Sequence, residues 1–383
     1  MEKLAINGGK PVSERRIPIA KPVFSEETLR SIAEVLESGI LCQGPKTAQF
    51  EDEFRRKVGA GYAYAVSSGT AALHVAYLSV LKPGDEVIVP AFTFISTASA
   101  VVFSGGSPVF ADIDDETLTI DPRDVGEKIS SKTKAIAPVH LFGNAADMKA
   151  LTEMAEDHNL YLVNDAAQAD GTLIDGKDVG SLDHINCYSF YPTKTMTTGE
   201  GGMVTTNTKE LCEKGRLIRN HGQETRYLHT ILGLNYRMTE IAAVIGLSQL
   251  KMLEEFLVRR KRNAKVLTEG LCALTGLKPQ RAGERVDHSY NYYTVIMDLD
   301  RFRCTRDKFA DALRAENVEC MVYYPTPLTK QPALEKYSKN MHCPVAEDMA
   351  KRVFSIPVHP NLTEEDLKKI LEALEKVSTH YLK

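Results

Sequence analysis

The 383-residue sequence contains no tryptophan and only seven cysteines, at positions 42, 187, 212, 272, 304, 320 and 343. No two of them form a Cys-x-x-C pair, which argues against a disulfide framework and against a zinc site. Scattered single cysteines are typical of reduced thiols, so we expect a cytoplasmic protein. No histidine pair has metal-ligand spacing either, and we predict no metal.

Long hydrophobic runs and an excess of one charge are also absent. No segment has the about 18 consecutive apolar residues of a membrane-spanning helix, and the opening MEKLAINGGKPV lacks the apolar core of a signal peptide. Lys and Arg number 47 against 51 Asp and Glu, without a long run of either sign. We therefore expect neither a membrane nor a nucleic acid as partner, and expect small-molecule ligands.

The pattern of apolar residues predicts an α/β protein. From about residue 28, helical periodicity alternates with short apolar runs that end at Gly, Pro or Asp, as in βα units around a mostly parallel sheet. Seven runs are predicted strands of one large sheet: 63–66, 86–89, 108–112, 135–139, 161–164, 187–190 and 203–206. We assign residues 1–250 to an N-terminal arm and a large domain, and 251–383 to a smaller C-terminal α/β domain. The basic turn 259–262 is interpreted as a solvated face.

The segment Ser67-Ser68-Gly69-Thr70 follows one predicted strand and begins a helix. Free N–H groups and the helix dipole at such a start attract anions, and glycine lets the backbone approach a phosphate closely. Taken alone, the segment is more often an ordinary N-cap.

Two further segments also follow predicted strands. Asp165 ends one apolar run, with Gln168 just after it, at the edge where parallel sheets bind ligands. A helix cap is an equally good reading of Asp165 in isolation. Lys194 lies between Pro192 and a glycine-rich stretch, 199–202, where burial would suit a Schiff-base lysine. An anion site, a carboxylate and a lysine in this order meet the demands of pyridoxal phosphate.

The sequence resembles the DegT/DnrJ/EryC1/StrS family of pyridoxal-phosphate aminotransferases over nearly its whole length. The matching stretches are 6–12 (INGGKPV), 67–74 (SSGTAALH), 90–97 (PAFTFIST), 138–143 (PVHLFG), 165–168 (DAAQ), 189–202, 219–222 (RNHG), 233–238 (GLNYRM) and 362–367 (LTEEDL). The resemblance implies the aspartate aminotransferase-like fold, fold type I, with a large, mixed, mostly parallel seven-stranded sheet.

The resemblance also implies roles for individual residues. Lys194 would form the internal aldimine with pyridoxal 5'-phosphate, and Asp165 would pair with the ring nitrogen. Phe94 would stack on the ring and Gln168 would lie near its 3-hydroxyl. Asn235 would reach the phosphate bound by the other subunit of a homodimer. The remaining phosphate contacts would come from Ser68, Gly69, Thr70 and Ser189.

Two positions depart from the common family pattern. The chain has Asn164 where the family often has Glu, and Asp170 where it often has His. Asp170 adds a negative charge near the site.

The predicted function is transfer of an amino group from glutamate or glutamine to a nucleotide-linked keto sugar, by a ping-pong mechanism. The opening residues 4–12 also fit aminotransferases that act on a keto-cyclitol or a related precursor. A third alternative is a non-catalytic regulatory protein or scaffold with this fold, although Lys194 and Asp165 favour an enzyme. Lys194 also argues against the family's dehydratase branch, in which histidine replaces the lysine.

Overall fold

The computed structural model describes residues 2–339 and 341–383. Its first half alternates strands and helices, as the sequence pattern predicts. The strands are β1 (Tyr62–Val66), β2 (Glu86–Pro90), β3 (Ser107–Ala111), β4 (Thr133–Ile136), β5 (Tyr161–Asp165), β6 (Leu173–Ile174), β7 (Lys177–Asp178), β8 (Ile185–Ser189) and β9 (Gly202–Thr206). The helices are α1 (Glu26–Ser38), α2 (Pro45–Val58), α3 (Gly69–Val80), α4 (Ser96–Phe103), α5 (Pro122–Lys128), α6 (Met148–Asp157) and α7 (Lys209–Arg219).

One seven-stranded sheet organises this half, in the order β1-β9-β8-β5-β4-β2-β3. The strands pair in parallel except at β9, which is antiparallel to both β1 and β8. Strands such as β2 are almost wholly buried, as expected when helices cover both faces of a parallel sheet. The predicted α/β class and mixed, mostly parallel sheet of fold type I are thereby confirmed.

The second half begins with a short hairpin and a long helix. Its elements are β10 (Gln223–Thr225), β11 (Leu228–His229), α8 (Glu240–Leu271), β12 (Leu277–Pro279), β13 (Val286–Asp287), β14 (Tyr293–Met297), α9 (Arg306–Ala315), α10 (Glu335–Ser338), α11 (Pro344–Arg352), β15 (Val353–Ile356) and α12 (Glu364–Tyr381). Strands β12, β14 and β15 form a small antiparallel sheet, and α9 and α12 pack with it in one core.

The predicted domain division near residue 250 falls inside α8, and it stays a prediction. Leu4 and Ile17 of the N-terminal arm belong to the core of the C-terminal half. Leu328 and Val353, from the C-terminal half, pack into the core of the large sheet. Within the described ranges, no helix is long and apolar enough to cross a membrane.

One buried carboxylate, that of Glu240, joins α8 to α2. The carboxylate of Glu240, the first residue of α8, accepts hydrogen bonds from the backbone N–H groups of Gly44, Lys46 and Thr47 at the start of α2. These bonds satisfy donors that a helix start leaves unpaired. Burial raises the pKa of Glu240, but the Thr47 hydroxyl, which donates to Oε1 over 2.6 Å, and the backbone N–H groups lower it by more. The long helix is thereby fixed to the sheet layer.

The interpretation of residues 259–262 as a solvated face is wrong for one residue. Arg259 and Lys261 pair with Glu255 and Asp287 at the surface. Arg260 is 4% exposed, and its guanidinium donates to the carbonyl oxygens of Tyr290 and Asn291. A helix has 3.6 residues per turn, so four consecutive residues cannot all face solvent when the helix packs on a core.

Candidate active site

A buried carboxylate lies at the carboxyl end of the central strand β5. Thr97 Oγ1 donates to Asp165 Oδ2 over 2.7 Å, and the Ala167 N–H donates to Oδ1 over 3.1 Å. Burial raises the pKa of Asp165, while these two hydrogen bonds and the charge of Lys194 lower it. A cationic ring N–H beside the carboxylate would favour its ionised form. Asp165 therefore suits the ring nitrogen of pyridoxal phosphate.

The start of α3 forms a narrow anion cradle. Ser68 is its N-cap, and its hydroxyl accepts from the Ala71 N–H over 3.1 Å. A Cβ on Gly69 would lie 2.6 Å from Cβ of Ser189, and one on Gly202 would lie 2.5 Å from the Ser68 carbonyl oxygen. Both close approaches require glycine, because any side chain would fill the space where β8 and β9 meet the helix.

Two hydroxyl groups line this helix start from neighbouring elements. Thr70 Oγ1 lies 2.7 Å from Ser96 Oγ on α4, and Ser189 ends β8 beside Gly69. The helix start also carries N–H groups that lack partners within the helix. Such a donor set suits a phosphate. The predicted residues Ser68, Gly69, Thr70 and Ser189 all lie at this helix start, and their contacts with a phosphate stay a prediction.

An open aromatic face lies beside Asp165. The Phe94 ring is half-exposed, and its centroid is 5.9 Å from that of Tyr324 at an interplanar angle of 38°. The carboxamide of Gln168 donates to the Tyr324 hydroxyl over 3.0 Å and accepts from the Phe142 N–H over 2.7 Å. Phe94 is thus available for stacking on a planar ring, and Gln168 is held in one orientation.

Lys194 lies on the loop between β8 and β9, and this loop is held at three threonines. The hydroxyl of Tyr292 donates to Thr193 Oγ1 over 2.7 Å, and Thr195 Oγ1 lies 3.4 Å from Asn291 Oδ1. The Thr197 N–H donates to Gln249 Oε1 on α8 over 3.3 Å. Lys194 itself is half-buried, and its charge acts on Asp165 as noted above.

Asn235 lies apart from these residues, with an exposed side chain. Its backbone bridges to Asn220, and the carbonyl of the next residue, Tyr236, accepts from the Ser67 N–H over 2.9 Å. The segment therefore runs beside the anion cradle, but the predicted contact with a partner subunit's cofactor stays a prediction.

Sequence reasoning gave no role to several residues of this site. Thr97 stands in the matched stretch 90–97, yet only the fold shows that its hydroxyl meets Asp165. Asp170 and Arg260 are both buried; burial raises the pKa of Asp170 and lowers that of Arg260, and the charge of each residue opposes the shift of the other. A buried arginine in a surface-like basic turn gives no signal in the sequence.

The residues present fit pyridoxal phosphate: a helix start where Gly69 and Gly202 have no room for a Cβ, a buried carboxyl for the ring nitrogen, an open aromatic face and a lysine. Fold and site together define a pyridoxal-phosphate-dependent transferase of fold type I. The chain belongs to the DegT/DnrJ/EryC1/StrS aminotransferase family, whose sequence model matches residues 22–375. It is a pyridoxal-phosphate-dependent aminotransferase, which confirms the predicted class and cofactor.

Three similar proteins illustrate the family. The UDP-N-acetyl-3-dehydro-alpha-D-glucosamine 3-aminotransferase of Acidithiobacillus ferrooxidans is 37% identical over 353 residues, 92% of this chain and 94% of that protein. The GDP-perosamine synthase of Escherichia coli O157:H7 is 36% identical over 94% of this chain and 98% of its own length. The crystal structure of S. venezuelae DesV is 34% identical, with a TM-score of 0.91 over 95% of this chain and 99% of that chain.

Proposed function

We propose that the protein transfers an amino group from an amino acid, glutamate or glutamine, to a nucleotide-linked keto sugar. The observation that carries this proposal is that Lys194, Asp165 and the cradle at the start of α3 occur together at the carboxyl edge of one sheet. The names of two similar proteins, a UDP-sugar aminotransferase and a GDP-perosamine synthase, support the sugar as acceptor. We place the protein in the cytoplasm because its cysteines are free thiols.

Cofactor binding and proton transfer are assigned to different residues of the chain. Ser68, Gly69, Thr70 and Ser189 hold the phosphate, and Asp165 holds a proton at the ring nitrogen. When bound, pyridoxal phosphate supplies an electron sink for the negative charge that develops at the donor's α-carbon. Lys194 binds the aldehyde and, once its amine is displaced, moves the proton at that carbon.

In a ping-pong reaction the keto acid leaves before the acceptor binds, so donor and acceptor use the same cleft in turn. Lys194 must therefore serve two substrates of different size. Phe94 and Tyr324, on the open side of Asp165, lie where either substrate would approach.

The acceptor class is tested by loading the protein with pyridoxamine phosphate and adding a panel of UDP- and GDP-linked keto sugars and keto-cyclitols. A nucleotide-linked keto sugar is expected to restore the absorbance of the aldehyde form of the cofactor fastest. Faster recovery with a keto-cyclitol would replace the proposed acceptor. A protein that takes up no cofactor would instead indicate the regulatory or scaffold alternative.

We also propose a homodimer in which each subunit completes the site of the other. The hairpin of β10 and β11 and the segment between it and Asn235 expose large apolar side chains, with Tyr227 79% and Leu232 98% exposed. Leu29 and Leu36 of α1 are exposed as well. A surface with so many exposed apolar groups favours contact with a second copy of the chain. In a dimer with two-fold symmetry, each subunit would contribute its Asn235 to the site of the other.

Mixing Lys194→Ala protein with Asn235→Ala protein is expected to restore activity that neither parent has. In a heterodimer with shared sites, both lesions fall in one site and the other site is intact. After complete subunit exchange, activity should reach about one quarter of the wild-type value, because half of the dimers are mixed and each has one intact site. The assay uses a cofactor concentration at which the Asn235→Ala parent is mostly unloaded.

The matched control mixes Asn235→Ala with the double variant, where no site can be intact. Exchange is verified by native mass spectrometry of differently tagged subunits. If Asn235 serves its own subunit, each mixed site carries one lesion, and the first mixture will stay as inactive as the control.

A further inference from the structure

Gln168 lies in the turn after β5, three positions beyond Asp165, and its carboxamide has one defined orientation. The residue is 5% exposed, and Oε1 accepts from the Phe142 N–H over 2.7 Å. A backbone N–H can only donate, so the oxygen of the carboxamide, and not its nitrogen, lies against Phe142. The nitrogen Nε2 therefore faces the other partners in the site.

The Phe142 N–H that fixes this orientation is itself held in place. Phe142 has a φ of 66°, a left-handed conformation that few residues other than glycine adopt, and Gly143 follows with a φ of 99°. The Phe142 carbonyl oxygen accepts from the Tyr292 N–H over 3.1 Å, and the two rings pack edge to face with centroids 6.2 Å apart. The donor to Gln168 Oε1 therefore belongs to a fixed, buried segment.

Tyr324 contacts the nitrogen of the carboxamide from the C-terminal half of the chain. Gln168 Nε2 donates to the Tyr324 hydroxyl oxygen over 3.0 Å. The Tyr324 ring packs edge to face on the buried ring of Phe92, with centroids 6.2 Å apart. Its loop is bonded to the segment just after β2, because the Leu328 N–H donates to the Ala91 carbonyl oxygen over 2.7 Å. The hydroxyl thus keeps its position relative to the large sheet.

Together these two contacts determine what Gln168 can offer a ligand. An amide nitrogen carries two hydrogens, and Tyr324 takes one of them. The carboxamide is planar, so its contacts with Phe142 and Tyr324 also fix the direction of the second hydrogen. Turning the carboxamide over would place Nε2 against the Phe142 N–H, with two donors facing each other. Gln168 therefore presents an N–H donor to an oxygen atom of a ligand.

We propose that Tyr324 is a positioning residue for Gln168: its hydroxyl, together with the Phe142 N–H, directs the second Nε2 hydrogen to the 3-oxygen of pyridoxal phosphate. The inference rests on the proposed position of the cofactor, with its ring nitrogen at Asp165 and its 3-oxygen near Gln168. An N–H donor at that oxygen stabilises its ionised form. Tyr324 acts through Gln168 and need not contact the cofactor.

The test compares two ligands that differ only at the 3-oxygen, pyridoxamine 5'-phosphate and 3-deoxypyridoxamine 5'-phosphate. Neither has an aldehyde, so both bind cofactor-free protein without a bond to Lys194, and calorimetry gives their dissociation constants. Tyr324→Phe is expected to weaken binding of pyridoxamine phosphate about three- to tenfold and binding of the 3-deoxy ligand less than about twofold, because a hydrogen bond to a charged oxygen is lost in part. In holoenzyme, the pH at which the absorbance of the bound cofactor changes should rise, since the 3-oxygen loses a stabilising donor.

Two further variants serve as references for Tyr324→Phe. Gln168→Glu keeps the shape and the acceptor for Phe142 but has no N–H, so pyridoxamine phosphate should bind at least about tenfold more weakly and the 3-deoxy ligand should lose much less. Tyr323→Phe removes the hydroxyl of the adjacent tyrosine, whose ring packs on Tyr292 with centroids 4.4 Å apart, and should leave the ratio of the two dissociation constants unchanged. Folding of each variant is checked by thermal unfolding.

An unchanged ratio of the two dissociation constants in folded Tyr324→Phe protein would overturn the inference, and so would an equal change of that ratio in Tyr323→Phe. If Gln168→Glu alone changes the ratio, Gln168 meets the 3-oxygen without help from Tyr324. If neither variant changes it, the proposed position of the 3-oxygen is wrong as well. Neither ligand is a sugar, so failure of the proposed acceptor would leave these measurements intact.

Discussion

Replacing Lys194 with alanine is expected to abolish transamination while leaving the fold intact. The lysine lies on a loop whose position depends on bonds to Thr193, Thr195 and Thr197 rather than on its own side chain. Loss of both the aldehyde-binding amine and the proton-moving group should lower kcat by at least about 10⁴-fold. The measurement is the steady-state rate with an amino donor, alongside the thermal unfolding temperature.

The cofactor should still bind the Lys194→Ala protein through its phosphate, because the cradle at the start of α3 is unchanged. Borohydride should attach the cofactor covalently to the peptide containing residue 194 in wild-type protein and not in the variant. Lys194→Arg tests whether the positive charge alone is enough, since arginine keeps the charge but cannot bind the aldehyde. This variant should be as inactive as Lys194→Ala. Near-normal turnover of either variant would show that the reactive lysine is elsewhere.

Replacing Asp165 with asparagine is expected to slow removal of the donor's α-proton by about 10²–10³-fold, the usual effect of deleting one preorganised electrostatic contact. The shape survives, because the asparagine oxygen can still accept from the Ala167 N–H and its NH₂ group can donate to Thr97 Oγ1. The negative charge that keeps the ring nitrogen protonated is lost. Exchange of the donor's α-proton with deuterium oxide, followed by NMR, isolates this step from acceptor binding.

Thr97→Val is the matched control for Asp165→Asn. It removes the hydrogen bond of 2.7 Å to Asp165 but leaves the charge, so exchange should slow far less. Cofactor affinity, measured by equilibrium dialysis, should fall only modestly in Asp165→Asn, since the phosphate contacts remain. If the Asp165→Asn protein exchanged the donor's α-proton at the wild-type rate, Asp165 would have no role in catalysis and would only cap the chain after β5.

The sequence predicted much of this arrangement because the relevant residues follow the ends of strands. In a parallel sheet those ends meet at one edge, so Ser68, Asp165 and Lys194 could be placed near each other from apolar runs and loops alone. Periodicity within one segment does not show which distant segments touch. Gln168 bonds to Tyr324, 156 positions further along, and no pattern around either residue indicates the pairing.

Burial of charge was the other property that the sequence did not show. Residues 259–262 have the pattern of one basic surface, although Arg260 is buried and reaches carbonyl oxygens some thirty positions further along the chain. Such a residue is identified only when the helix is placed against its neighbours. The departure at Asp170 was visible in the sequence, whereas its burial was not.

The anchoring of the Lys194 loop sets the order in which a newly made chain becomes able to hold its cofactor. Its partners Gln249, Asn291 and Tyr292 are synthesised after the whole seven-stranded sheet. A nascent chain that has just completed β9 therefore has the cradle and Asp165, but the loop still lacks its supports. Covalent attachment of pyridoxal phosphate to Lys194 is thus expected late in biosynthesis, because a nascent chain that ends before residue 292 has the sheet but not the supports of the lysine loop.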